Sequence, residues 1–144
     1  MALAWRTVGS GPDVVFLHPI GLDGSSWESV ATSLDGFTCH LVDLPGHGRS
    51  ARLPGGPTLD DFADAVAADL QQRRLADFAL VGLSFGGMIA QILASRRIAG
   101  LKSVFLAGCA CTFPDAVRPD IRARGERALA GGMEAVVDET MQRW

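Results

Sequence analysis

The sequence predicts an α/β fold, a mostly parallel sheet with helices on both faces, and three observations predict it. Val14-Val15-Phe16-Leu17, Phe78-Ala79-Leu80-Val81 and Val104-Phe105-Leu106-Ala107 are short continuous apolar runs, as central parallel strands covered on both faces require. Helical patterns lie between them, and alternating strand and helix closes into such a sheet through right-handed crossovers. The chain has 144 residues, 48% of them hydrophobic and 20% charged, enough for one domain with a buried core and no disulfide or metal staple.

The elements follow in chain order. Ser25 to Leu34 is a helix after the first strand, and Phe37 to Val42 is a β-rich fourth strand that carries His40. Thr58 is a candidate N-cap with Asp61 at the capping-box position. Leu59, Phe62, Val66 and Leu70 recur at helical spacing, so a helix spans roughly Leu59 to Arg73. Gly87 to Ser95 is a helix that starts directly after a strand. After Gly108, prolines and arginines (Arg118, Arg122, Arg124, Arg127) mark a solvated helix face. One arginine meeting a substrate carboxylate is the alternative. Met133, Val136, Val137, Met141 and Trp144 form a stripe at helical spacing whose natural meaning is core packing. The stripe has no C-cap glycine, as if more protein were to pack against it. Residues 1–112 therefore read as a core and 113–144 as the start of a helical cap region.

Composition excludes several classes of function. A net charge of −3 provides no basic field, so nucleic acid is not an expected partner. The apolar stretch Phe78 to Ala94 is interrupted by Ser84, Gln91 and glycines and is too short for a membrane span. No charged start and apolar core of a signal peptide opens the sequence, so the expected location is cytoplasmic. Cys39, Cys109 and Cys111 read as reduced thiols, and Cys109-Ala110-Cys111 lacks zinc-site spacing and companion ligands, so no metal is expected.

The sharpest motif is Gly82-Leu83-Ser84-Phe85-Gly86-Gly87, a G-x-S-x-G between an apolar strand and an apolar helix. It needs a serine on a strained turn that projects its hydroxyl above the sheet, with glycines where strand and helix backbones approach. The helix N-terminus then faces the serine with unpaired N–H groups that can hold an oxyanion. The competing reading is a phosphate-binding or merely tight turn with Ser84 as a helix cap, but neither G-x-G-x-x-G nor a Walker lysine is present.

Three stretches in order, Phe16-Leu17-His18-Pro19-Ile20-Gly21, Asp43-Leu44-Pro45-Gly46-His47-Gly48-Arg49-Ser50 and Val81 to Gly87, resemble the N-terminal half of the α/β-hydrolase superfamily. The resemblance implies Ser84 as nucleophile, with the backbone N–H groups of Phe85 and Ile20 as oxyanion donors and no cofactor. Pro19 stands where the family usually has glycine, but the donor belongs to the next residue. His18 and His47 read as organisers of loop backbone rather than as the general base. Asp43 is likewise a loop organiser, and Trp27 is either a pocket wall or core. More weakly, the tail from Gly131 to Trp144 resembles 3-oxoadipate enol-lactone hydrolases and related carboxylic-ester hydrolases, which implies a small ester or lactone substrate.

No histidine follows Ser84 in these residues, although the superfamily orders its triad serine, acid, histidine. Asp115 is a weak candidate acid. The expectation is a chain that stops before the fold's last strands, lacks the triad acid and histidine, and self-associates through exposed apolar surface. Within the same fold, a carbon–carbon bond hydrolase, a perhydrolase or a thioesterase stays open. The reading from a different class is a catalytically inactive binding module.

Overall fold

The computed structural model describes residues 2–143. Two compact units divide the chain, Met1–Cys111 and Thr112–Trp144.

The first unit holds a five-stranded sheet in the order β1-β3-β2-β4-β5, made of β1 (Trp5–Gly9), β2 (Asp13–Leu17), β3 (Thr38–Val42), β4 (Phe78–Leu83) and β5 (Leu101–Ala107). β2, β3, β4 and β5 run parallel, and β1 pairs antiparallel with β3. The three strands expected from apolar runs and the β-rich fourth all form, while β1 is additional. Its sequence, WRTVG, is mostly polar or exposed, and it is held by long-range contacts instead. Leu3 N–H donates to the buried Asp69 carboxylate, Arg73 pairs with the same carboxylate, and the Arg73 guanidinium lies 4.0 Å from the Trp5 ring centroid.

Helices cover both faces. α2 (Leu59–Arg73) and α3 (Phe85–Ser95) pack on one face, where Val15, Leu17, Leu80, Val66, Ile89 and Leu93 are buried together. α1 (Glu28–Ser33) follows a 3-10 turn at Gly24–Trp27 and covers Val14, Phe16, Cys39 and Leu41 on the other. Thr58 and Asp61 form the expected capping box, each side chain accepting from the other's backbone N–H. Ser25 to Leu34 is thus a 3-10 turn running into a short α-helix, because Asp23 caps the turn through the Ser25 N–H.

β5 departs from the expected central strand. Among the described residues nothing pairs with its outer side, and Phe105 is 66% exposed. A register shift beside β4 skips Lys102, which places both Leu101 and Val104 against the α2–α3 core although strict alternation would separate them.

In the second unit, α4 (Arg118–Gly131) has no buried residue, in keeping with a solvated helix. Three of its arginines are engaged locally: Arg118 with Asp115 and the Phe113 carbonyl, Arg124 with Thr140, Arg127 with Glu139. The Met133 stripe is split between a 3-10 turn at Met133–Val136 and α5 (Val137–Arg143). Core packing does not hold for it: Val136 alone is buried, while Met133, Val137 and Met141 are exposed. Trp144, the stripe's last member, lies outside the described residues.

Candidate active site

The parallel strands β2 and β4 are neighbours in register, with Leu17 opposite Gly82. Ile20 and Ser84 therefore leave the carboxyl ends of adjacent strands, where crevices form in open α/β sheets. Between β4 and α3 the chain reverses at Ser84, whose φ of 51° and ψ of −112° form a strained turn that non-glycine residues seldom adopt. Its backbone is held on both sides: Ser84 N–H donates to the Ala107 carbonyl at 2.9 Å, and Met88 N–H donates to the Ser84 carbonyl at 3.0 Å. The half-buried side chain makes no capping hydrogen bond, so the hydroxyl is not spent on the helix it precedes.

The glycines explain how the turn closes. A Cβ on Gly86 would lie 2.3 Å from the Leu17 carbonyl oxygen, and one on Gly82 would lie 2.6 Å from the Gly86 carbonyl oxygen. Both contacts are with backbone, which cannot step aside, so α3 seats against the ends of β2 and β4 only without side chains there. Phe85 opens α3, and its N–H precedes the first bond of the helical ladder.

On the β2 side, His18 is fully buried. Its Nδ1 lies 2.8 Å from the Pro19 carbonyl oxygen, and Leu44 N–H donates to its Nε2 at 2.9 Å. With both ring nitrogens engaged by backbone, His18 has none left to take a proton from a serine. Burial is the main reason its pKa falls below the ordinary value of 6.5, and the nearby positive form of His47 pushes the same way. The Pro19 hydrogen bond and the Asp43 and Asp23 carboxylates oppose the shift.

The buried Asp43 carboxylate accepts from Gly24 N–H at 2.9 Å through Oδ1 and from Arg49 N–H at 3.0 Å through Oδ2, tying the loop after Ile20 to the 46–50 turn. Ser50 extends this tie, donating to the Asp43 carbonyl and accepting from Ala4 N–H. A Cβ on Gly48 would meet the Asp43 carboxylate at 2.5 Å, so the turn must carry glycine to wrap around it. His47 sits in this turn, with its ring centroid 5.0 Å from that of His18 and 6.3 Å from that of Phe85. Among the described residues no hydrogen bond joins Ser84 to any histidine. Trp27 packs on Phe16, with centroids 5.2 Å apart, and is core. Asp115 is exposed and paired with Arg118.

Sequence reasoning noticed Gln91 only as a polar interruption of an apolar helix. Its amide donates to the Ala110 carbonyl at 3.2 Å and lies 3.4 Å from Cys109 Sγ, holding the loop after β5 against α3. That interruption was the available signal, since a polar residue in a helix buried on one face implies a partner.

Residues 14–144 match the alpha/beta hydrolase family. The chain belongs to that family. It is 40% identical to a pimeloyl-(acyl-carrier protein) methyl ester esterase from Chromobacterium violaceum, over all of this chain and 56% of that protein. It is 34% identical to a 2-succinyl-6-hydroxy-2,4-cyclohexadiene-1-carboxylate synthase from Escherichia coli, over 83% of this chain and 47% of that one. Among solved structures it is similar to the enol-lactonase from Burkholderia xenovorans, with a TM-score of 0.89 and 27% identity over 99% of this chain and 56% of that chain. The chain spans about half the length of these relatives.

Proposed function

We propose that this chain carries the nucleophile and oxyanion portion of a serine-dependent hydrolase of carboxylic esters or lactones. The observation that carries the reading is Ser84, held at positive φ at the head of α3 with its hydroxyl uncommitted. Ser84 Oγ attacks the ester carbonyl carbon as a base takes its proton. The developing oxyanion accepts from the N–H groups of Ile20 and Phe85, and the intermediate collapses to an acyl-serine as the alcohol leaves. Water then cleaves the acyl-serine, releasing the acid. A base must stand within hydrogen-bond reach of Ser84 Oγ. No histidine follows Ser84, and among the described residues none is hydrogen-bonded to it, so in this reading the triad acid and histidine come from outside these residues.

Residues 113–144 are, in this reading, the start of a helical cap region. The esterase and enol-lactonase relatives support ester or lactone chemistry, and no helix among the described residues is long and apolar enough to cross a membrane. A small-molecule substrate, a cytoplasmic location and self-association through the exposed Phe105 and Leu106 complete the reading.

The test is to treat the natural polypeptide with a serine-reactive phosphonate, measure its intact mass and locate the adduct. An adduct on Ser84, lost in Ser84→Ala together with esterase turnover, is the expected result. A polypeptide that hydrolyses esters while Ser84 stays unmodified refutes it.

A further inference from the structure

The hydrogen bonds of His18 define its tautomer. Leu44 N–H donates to Nε2, so Nε2 carries a lone pair; the Pro19 carbonyl can only accept, so Nδ1 carries the proton. The ring is neutral, and its Nδ1–H holds the oxygen of one particular peptide group. That group, Pro19 C=O to Ile20 N–H, is planar and trans, so its oxygen and its N–H point in opposite directions. Leu22 N–H donates to the same oxygen at 3.4 Å, and the buried Pro19 ring restricts φ on the other side.

We propose that His18 is a positioning residue: by donating from Nδ1 to the Pro19 carbonyl it fixes the plane of the Pro19–Ile20 peptide, and with it the direction of the Ile20 N–H. This deepens the reading above, which makes that N–H an oxyanion donor. A carbonyl that accepts a hydrogen bond also polarises its own peptide, strengthening the opposite N–H as a donor.

The arrangement depends on the unprotonated ring. A proton on Nε2 would set two donors, Nε2–H and Leu44 N–H, against each other. The charged and titratable groups facing His18 are Asp43 at the end of β3, His47 in the following turn and Asp23 in the loop after Ile20. The stretch of α3 that approaches the same backbone, at Gly86, brings no ionisable side chain. Burial disfavours the charged ring, against the Pro19 hydrogen bond and the two carboxylates.

Two substitutions separate positioning from mere structure. His18→Asn keeps an amide N–H near the place of Nδ1, within reach of the Pro19 carbonyl, and abandons Leu44. His18→Gln offers an oxygen near the place of Nε2 for Leu44 and abandons Pro19. The two variants and the parent are measured in the natural polypeptide by thermal unfolding and by kcat and KM on a p-nitrophenyl ester. The expected result is a crossing. His18→Asn has the lower Tm but keeps kcat within about tenfold, whereas His18→Gln keeps more of its Tm and loses kcat on the order of a hundredfold, KM changing little. If kcat follows Tm in both variants, the proposal is overturned.

Nitrogen-15 NMR of the parent's imidazoles provides a measurement free of turnover. A protonated Nδ1 and a bare Nε2 on His18, with an Ile20 amide resonance that moves in His18→Gln and less in His18→Asn, are expected. The opposite tautomer, or an Ile20 resonance indifferent to both changes, overturns the proposal. An unlabelled Ser84 with the expected His18 tautomer and Ile20 shifts would refute the hydrolase reading and leave the His18 device standing.

Discussion

Strands β4 and β5 are neighbours in one parallel sheet, and each carries a continuous apolar run. In β4, Phe78 and Leu80 are buried, and its carboxyl end turns at Ser84 into a helix seated on glycines. In β5, Phe105 and Leu106 are exposed, and its carboxyl end leads through Gln91-tethered residues to the exposed Asp115. Hydrophobicity along the chain reports that a segment is a strand; whether that strand is central, and whether its end holds a site, depends on what pairs with it.

The largest expected contrast lies at the two carboxyl ends. On the proposed reading Ser84→Ala removes the attacking atom, and the expected outcome is a kcat lower by on the order of ten-thousandfold or more, as the loss of a triad nucleophile gives. Asp115→Ala leaves kcat within about twofold, because surface substitutions away from special features perturb little. Steady-state kinetics on the natural polypeptide checks both, and a comparable loss from Asp115→Ala would mean that the β5 end carries chemistry too.

Burial provides the next contrast. Leu80→Ala should destabilise by about 3 kcal/mol through lost transfer energy and a residual cavity. In this 144-residue chain Phe105→Ser should change stability by no more than about 0.5 kcal/mol. Urea unfolding of the two variants measures the difference. Equal losses would break the distinction between the strands.

At the end of β2, His18 sets a smaller effect that depends on pH. Its folded-state pKa is lowered, chiefly by desolvation, so below the ordinary value of 6.5 the unfolded chain binds a proton that the folded chain refuses. The stability contribution is complete above that value and is lost as pH falls towards the lowered pKa, at a slope of at most about 1.4 kcal/mol per pH unit. Asp23, whose pKa is lowered chiefly by its hydrogen bonds from Ser25, contributes in a separate window below its ordinary value of 3.8. Thermal unfolding across mildly acid pH should show the histidine slope reduced in His18→Gln. An unchanged slope would assign it to other groups.

The smallest effect concerns association. Phe105→Lys on the exposed β5 edge should shift this 144-residue chain towards monomer in sedimentation velocity with little change in folding. Unchanged association would place the contact elsewhere.

Much of this was legible in the sequence, for physical reasons that differ by element. β2 and β4 were plain because their runs are buried by neighbours on both sides, and α2 was plain because Thr58 and Asp61 cap it locally. The elbow was legible because a tight strand-to-helix reversal needs glycines at fixed offsets from Ser84. β1 was not, since what holds it is Asp69 and Arg73 some seventy residues away and not its own pattern. His18 could be read as a loop organiser but not as a ring with both nitrogens committed, because its partner Leu44 lies beyond a helix and a strand. The exposed stripe of Met133, Val137 and Met141 was misread because helical spacing tells which residues share a side, not what lies opposite.

The register of β2 also sets a timetable for the nascent protein. Asp13 pairs with Thr38 on one flank and with Phe78 on the other, so β2 leaves the ribosome before both partners and gains the second only after α2 has been made. At roughly 5–20 residues per second, Val15 and Phe16 wait on the order of several seconds with one flank open. During that interval the segment destined for the middle of the sheet is an apolar strand with a free edge, open to pairing with another chain.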